Sequence, residues 1–361
     1  MMNSTQATLS KTAMILAGGT GGHIFPGLAV AEELRHLGWR VVWLGTFNGM
    51  ESQIVPKSDF LFEGIQFSGL RGKGLLAWIR LPFRLFRAFW QSALIIRRIK
   101  PNVILGFGGY VTFPAGVMGR LLGKPLVLHE QNSVAGLSNR VLAVLATHMF
   151  TAFPNVISRA KWIGNPLRSE FTHQAEPKVR FMNRQGPLKI LVIGGSLGAK
   201  YLNQLVPQAI KLLPIHARPC ITHQSGVSQI NEVSTNYRQA NIDAELIPFI
   251  ANTAAAFADA DLIICRSGAS TVTELAAVGA AAIFVPLPTA VDDHQTKNAM
   301  YLVEKGGGWI QPQQELTPRK LADFILKTDR AILLKTAIEA NKMYIHGTLK
   351  MLTDACEDLT K

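Results

Sequence analysis

Short apolar runs alternate with longer stretches in which apolar residues return every three or four positions, almost throughout the chain. The runs predict strands at Met14–Ala17, Val41–Leu44, Val103–Gly106, Leu126–His129, Met149–Ala152 and Lys161–Ile163. A second series follows at Ile190–Ile193, Cys220–His223, Ala244–Pro248, Leu262–Cys265 and Ala282–Val285. The periodic stretches predict helices that include Pro26–Leu37, Tyr201–Leu212, Val272–Val278, Gln295–Lys305 and Leu316–Lys327. Alternating strand and helix patterns signal βα units on parallel sheets. The alternation lapses over Arg168 to Pro187, the most polar and least regular stretch, so the domain boundary is expected there. The expected organisation is residues 1–167, a linker region 168–187, residues 188–340, and a helical segment 341–361 that packs back on the first domain.

Size and composition support two cores. The chain has 361 residues, 48% of them hydrophobic and 17% charged, which excludes a disordered protein and exceeds one ordinary domain. The formal charge of +13 implies an anionic partner. Nucleic acid is not expected, because basic and aromatic residues interleave only over Leu75–Trp90. Cys220, Cys265 and Cys356 are widely spaced and read as reduced thiols of a cytoplasmic protein. The first residues lack a basic n-region, and no apolar stretch reaches the ~18 residues of a membrane span.

Two glycine loops each stand between a strand and a helix. They are Gly18-Gly19-Thr20-Gly21-Gly22-His23 and Gly194-Gly195-Ser196-Leu197-Gly198-Ala199. Glycine admits an oxyanion close to the backbone, and a helix N-terminus adds partial positive charge. Neither loop has the spacing of a dinucleotide fingerprint or a P-loop. Two such loops point to two similar domains and one anionic ligand, a nucleotide. His23 begins a helix beside the first loop, where an imidazole suits proton abstraction from a hydroxyl. It also suits a plain bond to backbone.

After the strand ending at Cys265 come Arg266-Ser267-Gly268-Ala269-Ser270-Thr271-Val272-Thr273-Glu274. Ser270 or Thr271 suits a helix cap. Glu274, one turn on, suits either a capping box or a ribose diol. Asp292-Asp293-His294 reads as a helix start rather than a metal site, and Asp259-Ala260-Asp261 as a solvated turn. His129-Glu130 lacks the second histidine of a zinc motif. No metal and no cofactor are expected. Over Leu75–Trp90, Leu75, Ile79, Phe83, Phe86 and Trp90 recur at helical spacing beside a stripe of Arg80, Arg84 and Arg87. Trp78, with Leu85 and Phe89, falls outside any single apolar face but joins the expected membrane residues, and Pro82 suggests a kink. Such a helix fits the interface of an anionic membrane.

These motifs, with Ser68-Gly69-Leu70-Arg71-Gly72-Lys73-Gly74, Gly106-Phe107-Gly108-Gly109-Tyr110, His129-Glu130-Gln131-Asn132 and Gly164-Asn165-Pro166-Leu167-Arg168, closely resemble the MurG-like transferases from about Ala13 onward. The resemblance implies an α/β GT-B fold, two Rossmann-like parallel-sheet domains facing a cleft. It implies inverting transfer of N-acetylglucosamine from UDP-GlcNAc to an undecaprenyl-diphosphate-linked muramyl-peptide. A UDP-sugar epimerase of the same fold is the alternative. The family's donor positions fall on Thr20, Gly21, Gly22, Asn132, Arg168, Ser196, Ile250, Ala269, Ser270, Thr271, Val272, Thr273, Glu274 and Gln295. His23 is the expected base, and Gly106, Gly108, Gly109 and Tyr110 are expected to receive the acceptor's diphosphate. The resemblance further implies a peripheral protein on the cytoplasmic face of the inner membrane. Its expected partners are anionic lipids and other cell-wall synthesis proteins.

Overall fold

The computed structural model describes residues 11–69, 79–195 and 198–361. The chain forms two compact units, one of residues 1–167 with 346–361 and one of residues 168–345.

The first unit is built on β1 (Thr12–Ala17), β2 (Arg40–Thr46), β3 (Leu61–Ile65), β4 (Val103–Gly108), β5 (Leu126–Glu130), β6 (His148–Thr151) and β7 (Lys161–Trp162). They form one parallel sheet in the order β3-β2-β1-β4-β5-β6-β7. Strand residues alternate between faces, so β1 feeds two cores. Ala13, Ile15 and Ala17 join Trp43, Leu105 and Phe107 on one side. Met14 and Leu16 join Leu44, Ile104 and Leu128 on the other. Helices α1 (Gly21–His36), α2 (Leu81–Ile99) and α3 (Thr112–Leu121) cover the sheet, with a short helix at Leu137–Leu142. Pro26 does not open α1 as its place in the sequence suggested. It lies inside a helix that starts at Gly21, so the loop and His23 belong to the helix's first turn. Pro82 does not kink α2 but stands in its first turn, where a missing N–H costs nothing.

The second unit holds β8 (Lys189–Ile193), β9 (Cys220–Gln224), β10 (Glu245–Ile247), β11 (Leu262–Cys265), β12 (Ala282–Phe284) and β13 (Trp309–Ile310). Their order is β10-β9-β8-β11-β12-β13, again all parallel. Its main helices are α4 (Lys200–Lys211), α5 (Ile230–Ala240), α6 (Thr253–Asp259), α7 (Ala269–Val278), α8 (His294–Val303), α9 (Pro318–Leu326) and α10 (Arg330–Lys342). The stretch read as an irregular linker carries two short helices, Ser169–Thr172 and Pro177–Phe181, and its Phe171 and Phe181 are buried.

Asp261 corrects the solvated-turn reading. Its carboxylate is buried, accepts from the Lys189 N–H at 2.9 Å, and pairs with Arg184 at 2.6 Å and Arg330 at 3.0 Å. Both guanidinium groups also donate to backbone carbonyls: Arg184 to Ala260 and Arg330 to Gly186 and Pro187. This knot ties the start of β8 to α10. The C-terminal helix, Thr348–Asp358, packs on α1 in the first unit. Leu352 and Cys356 enter that core, Thr348 Oγ1 donates to Ile163 O, and Glu357 receives Lys11 and the Trp39 indole.

Candidate active site

In an open parallel sheet, ligands bind beyond the strand C-termini where the strand order reverses. In the first unit that point lies between β1 and β4, and both strands end in glycine loops. The loops touch. The Gly18 N–H donates to Gly108 O at 3.3 Å, and Thr112 Oγ1 donates to Gly108 O at 2.8 Å. Gly109 has φ of 87°, and a Cβ there would lie 2.2 Å from Gly18 O, so glycine is required. Gly106 differs from its neighbours. It lies within β4, and its missing side chain makes room for Leu128 and Thr112. Packing therefore accounts for it without an anion.

The first glycine loop is only partly an anion cradle. Its Gly18 N–H is already bonded, and the Gly19 N–H donates to Glu51 Oε2 at 3.0 Å. Buried Glu51 also takes the Thr46 N–H at 2.9 Å and the Thr46 hydroxyl at 2.7 Å. The His23 N–H donates to Thr20 O at 3.1 Å, and the amides of Gly21 and Gly22 at the start of α1 have no intrahelical acceptor. Thr20 is the N-cap residue but makes no cap bond with its side chain. Tyr110, half exposed, and Gly19 line a cavity of about 680 Å³ with Phe47, Phe67 and Arg84.

His23 stands in the first turn of α1 above this junction. A Cβ on Gly108, whose φ is 112°, would come within 2.8 Å of the imidazole Cε1. The ring's Nδ1 lies 2.7 Å from Gln131 Oε1. Gln131 Nε2 in turn lies 2.9 Å from His129 O and 3.0 Å from His129 Nδ1. His129 Nε2 lies 2.9 Å from Gly164 O. Burial lowers the His129 pKa to about 4, against the pull of the Gly164 carbonyl. Next to it, buried Glu130 accepts from the Asn132 and Gly136 amides and from the side chains of Asn132 and Asn139. Asn132 is thus held by a carboxylate that organises its own turn. Among the described residues there is no cluster of His, Cys, Asp or Glu able to hold a metal ion.

In the second unit the reversal lies between β8 and β11. Gly198, with φ of 76°, would place a Cβ 2.0 Å from Ser225 O, and Gln224 Nε2 donates to Gly195 O at 2.8 Å. Ser196 lies outside the described residues. A cavity of about 550 Å³ opens here, lined by Gly194, Gly195, Gly198, Thr271, Gln295 and Arg266. Neither Ser270 nor Thr271 caps α7. Gly268 is its N-cap residue, so Thr271 and Glu274 both fall inside the helix and no capping box forms. Gln295 Oε1 accepts the Leu287 N–H at 2.9 Å, which leaves the amino end as donor. Arg266, Lys200 and Gln313, which carry no assigned role in the sequence pattern, line the same cavity. Arg266 donates to Val285 O, Pro286 O and Gln313 Oε1. Arg266 was legible only as part of a quoted motif, without a role.

The other expected donor residues scatter within this unit. Ala269 and Val272 are buried, and Thr273 Oγ1 bonds back to Ala269 O and Ser270 O. The Ser267 and Ser270 hydroxyls are buried without a hydrogen-bond partner among the described residues. Ile250 lines a different cavity with Ala256 and Asp259. Arg168 pairs with Glu170 at 2.9 Å and lies over Phe171. Burial raises the Glu274 carboxyl to about 7. Arg168 pulls it down and Glu170 pushes it up.

Of the expected membrane residues, Leu75 and Trp78 lie outside the described residues. Ile79, Phe83, Phe86 and Trp90 are 63%, 79%, 70% and 59% exposed, a row of large apolar side chains facing away from the core. Ala88, Ser92 and Ile96 form the buried face, and Phe89 meets Phe113. Arg80 and Arg87 are exposed, while Arg84 donates to Ser68. Among the described residues, no helix is long and apolar enough to cross a membrane.

Comparison with known proteins agrees with this geometry. Residues 13–151 match the glycosyltransferase family 28 N-terminal domain, and residues 189–348 match its C-terminal domain. A Polaromonas sp. (strain JS666) protein is 59% identical over 357 residues, covering 98% of this chain and 92% of the relative. It is named UDP-N-acetylglucosamine–N-acetylmuramyl-(pentapeptide) pyrophosphoryl-undecaprenol N-acetylglucosamine transferase. A Paracidovorax citrulli protein of the same name is 59% identical over 354 residues, 98% of this chain and 99% of its own. The crystal structure of Acinetobacter baumannii MurG superposes with a TM-score of 0.84 at 38% identity, covering 96% of this chain and 99% of that one.

Proposed function

The chain belongs to glycosyltransferase family 28, and from that membership we infer that it is a UDP-GlcNAc-dependent N-acetylglucosaminyltransferase of peptidoglycan synthesis. It moves N-acetylglucosamine from UDP-GlcNAc to the 4-hydroxyl of the undecaprenyl-diphosphate-linked muramyl-pentapeptide. The observation that carries this reading is the match over nearly the whole chain, both units included, to transferases of that reaction. An epimerase is disfavoured by the same match. The test is transfer of labelled sugar from UDP-GlcNAc to a muramyl-peptide polyprenyl diphosphate. Conversion of UDP-GlcNAc to another sugar nucleotide without acceptor would overturn it.

The second unit's cavity suits the donor. The backbone of Gly194, Gly195, Gly198 and Ala199, the start of α7 and the Arg266 and Lys200 cations supply positive potential for the leaving diphosphate. Glu274 is assigned to the ribose, where a carboxylate accepts from two hydroxyls. That role has a pH signature. Burial pushes its carboxyl up to about 7, so the accepting form is lost as pH falls through that value. The donor KM is expected to rise below pH 7 in the native enzyme and to lose this dependence in Glu274→Gln. A flat native profile would refute the assignment.

The first unit is assigned to the acceptor. His23 takes the proton from the attacking hydroxyl, and Gly108, Gly109 and Tyr110 face the acceptor's phosphates. The exposed row on α2, with Arg80 and Arg87, is assigned to the cytoplasmic face of the inner membrane. Replacing Phe83, Phe86 and Trp90 by serine removes apolar area worth about 1.5–3 kcal/mol per side chain on full burial. Partition into anionic vesicles should fall at least about tenfold while soluble-acceptor turnover is retained. Unchanged vesicle binding would dismiss the face.

A further inference from the structure

We propose that Gln131 is a positioning residue that fixes the tautomer of His23, holding its proton on Nδ1 and leaving Nε2 as the basic nitrogen. The proposal deepens the reading of His23 as base and rests on it. Two backbone carbonyls, which only accept hydrogen bonds, set the order of donors and acceptors. His129 O lies 2.9 Å from one end of the Gln131 amide, so that end is the amino group. The opposite end, Oε1, then faces His23 Nδ1 at 2.7 Å. An amide oxygen has no hydrogen to give, so the hydrogen belongs to the imidazole. In the neutral ring, Nε2 carries the lone pair.

The second carbonyl closes the chain. Gly164 O, 2.9 Å from His129 Nε2, requires a proton on that nitrogen. His129 Nδ1 is then an acceptor, and the second amino hydrogen of Gln131 reaches it at 3.0 Å. Every donor meets an acceptor, and reversing any one member places two acceptors or two donors together. Gln131 and His129 are both buried, so water does not compete for these bonds. His129 stays uncharged across the neutral range, because burial lowers its pKa to about 4. A charged His129 would present a donor to the Gln131 amino group and break the order.

The experiment reads the tautomer directly. Ring nitrogen shifts in the ¹⁵N-histidine-labelled protein, with His23 assigned by its loss in His23→Gln, are expected to show protonated Nδ1 and bare Nε2 in neutral His23. In Gln131→Met the ring should become a mixture of tautomers. Its kcat should fall at least about tenfold, within the roughly 10²–10⁴ that a general base supplies, with the UDP-GlcNAc KM unmoved. The native measurement needs no variant to fold. A native His23 protonated on Nε2, or a Gln131→Met enzyme with full turnover, overturns the proposal and leaves the base reading untouched. Full turnover in His23→Ala instead overturns the base reading and this proposal with it, whatever the tautomer.

Discussion

His23→Ala should lose about 10²–10⁴ in kcat, or roughly 3–5.5 kcal/mol of transition-state stabilisation. The loss should fall on the chemical step. Donor residues assigned to the second unit are untouched, so the UDP-GlcNAc KM should hold steady. Single-turnover transfer with saturating acceptor isolates that step from product release. The loops around His23 are fixed by other contacts, among them Gly18 to Gly108, Thr112 to Gly108 and Glu51 to Gly19, so the variant should fold. Near-normal turnover would remove His23 from the mechanism and reassign the proton to solvent or to the departing phosphate.

Asp261→Ala should cost the second unit about 3–5 kcal/mol, the range for removing one partner of a buried ion pair. The residue's carboxylate is shielded from solvent between Arg184 and Arg330. Each arginine keeps some carbonyl partners, which places the effect toward the lower end. Urea unfolding followed on the second unit should show the loss, and an unchanged midpoint would show that the carbonyls alone suffice. The sign of the pH effect follows from the same contacts. Burial pushes the Asp261 carboxyl up, but the Lys189 amide and the two arginines outweigh it and hold the pKa below its usual value. Its stabilisation is therefore complete above the ordinary carboxylate range and is lost as pH falls through the depressed value.

The sheet strands were legible because they are buried on both faces and read as unbroken apolar runs, as in Ile190–Ile193 and Leu262–Cys265. β3 escaped notice because Leu61-Phe62-Glu63-Gly64-Ile65 mixes a charge and a glycine into an edge strand. β13 is only Trp309–Ile310, too short for any periodicity. The glycine loops were legible as motifs, but their hydrogen bonds were not. Glu51 stands 32 residues from Gly19, and nothing local marks it as the group that occupies that amide. Gln131 and His23 are 108 positions apart, so a tautomer relay has no signature in a linear pattern. Asp261 looked like a surface turn because its partners lie 77 and 69 positions away. Exposure of the α2 row was foreseen because amphipathic spacing is a local property.

The C-terminal helix carries a consequence for how the protein is made. Leu352 and Cys356 complete the core around α1, and Glu357 satisfies Lys11 and Trp39. During synthesis that side of the first unit waits, with Trp39 and its neighbours uncovered, until the entire second unit has emerged from the ribosome. The opening half of the chain is thus the last to finish folding. The interval in which it invites a chaperone, or a wrong neighbour, lasts as long as translation of some 180 intervening residues, 168–347.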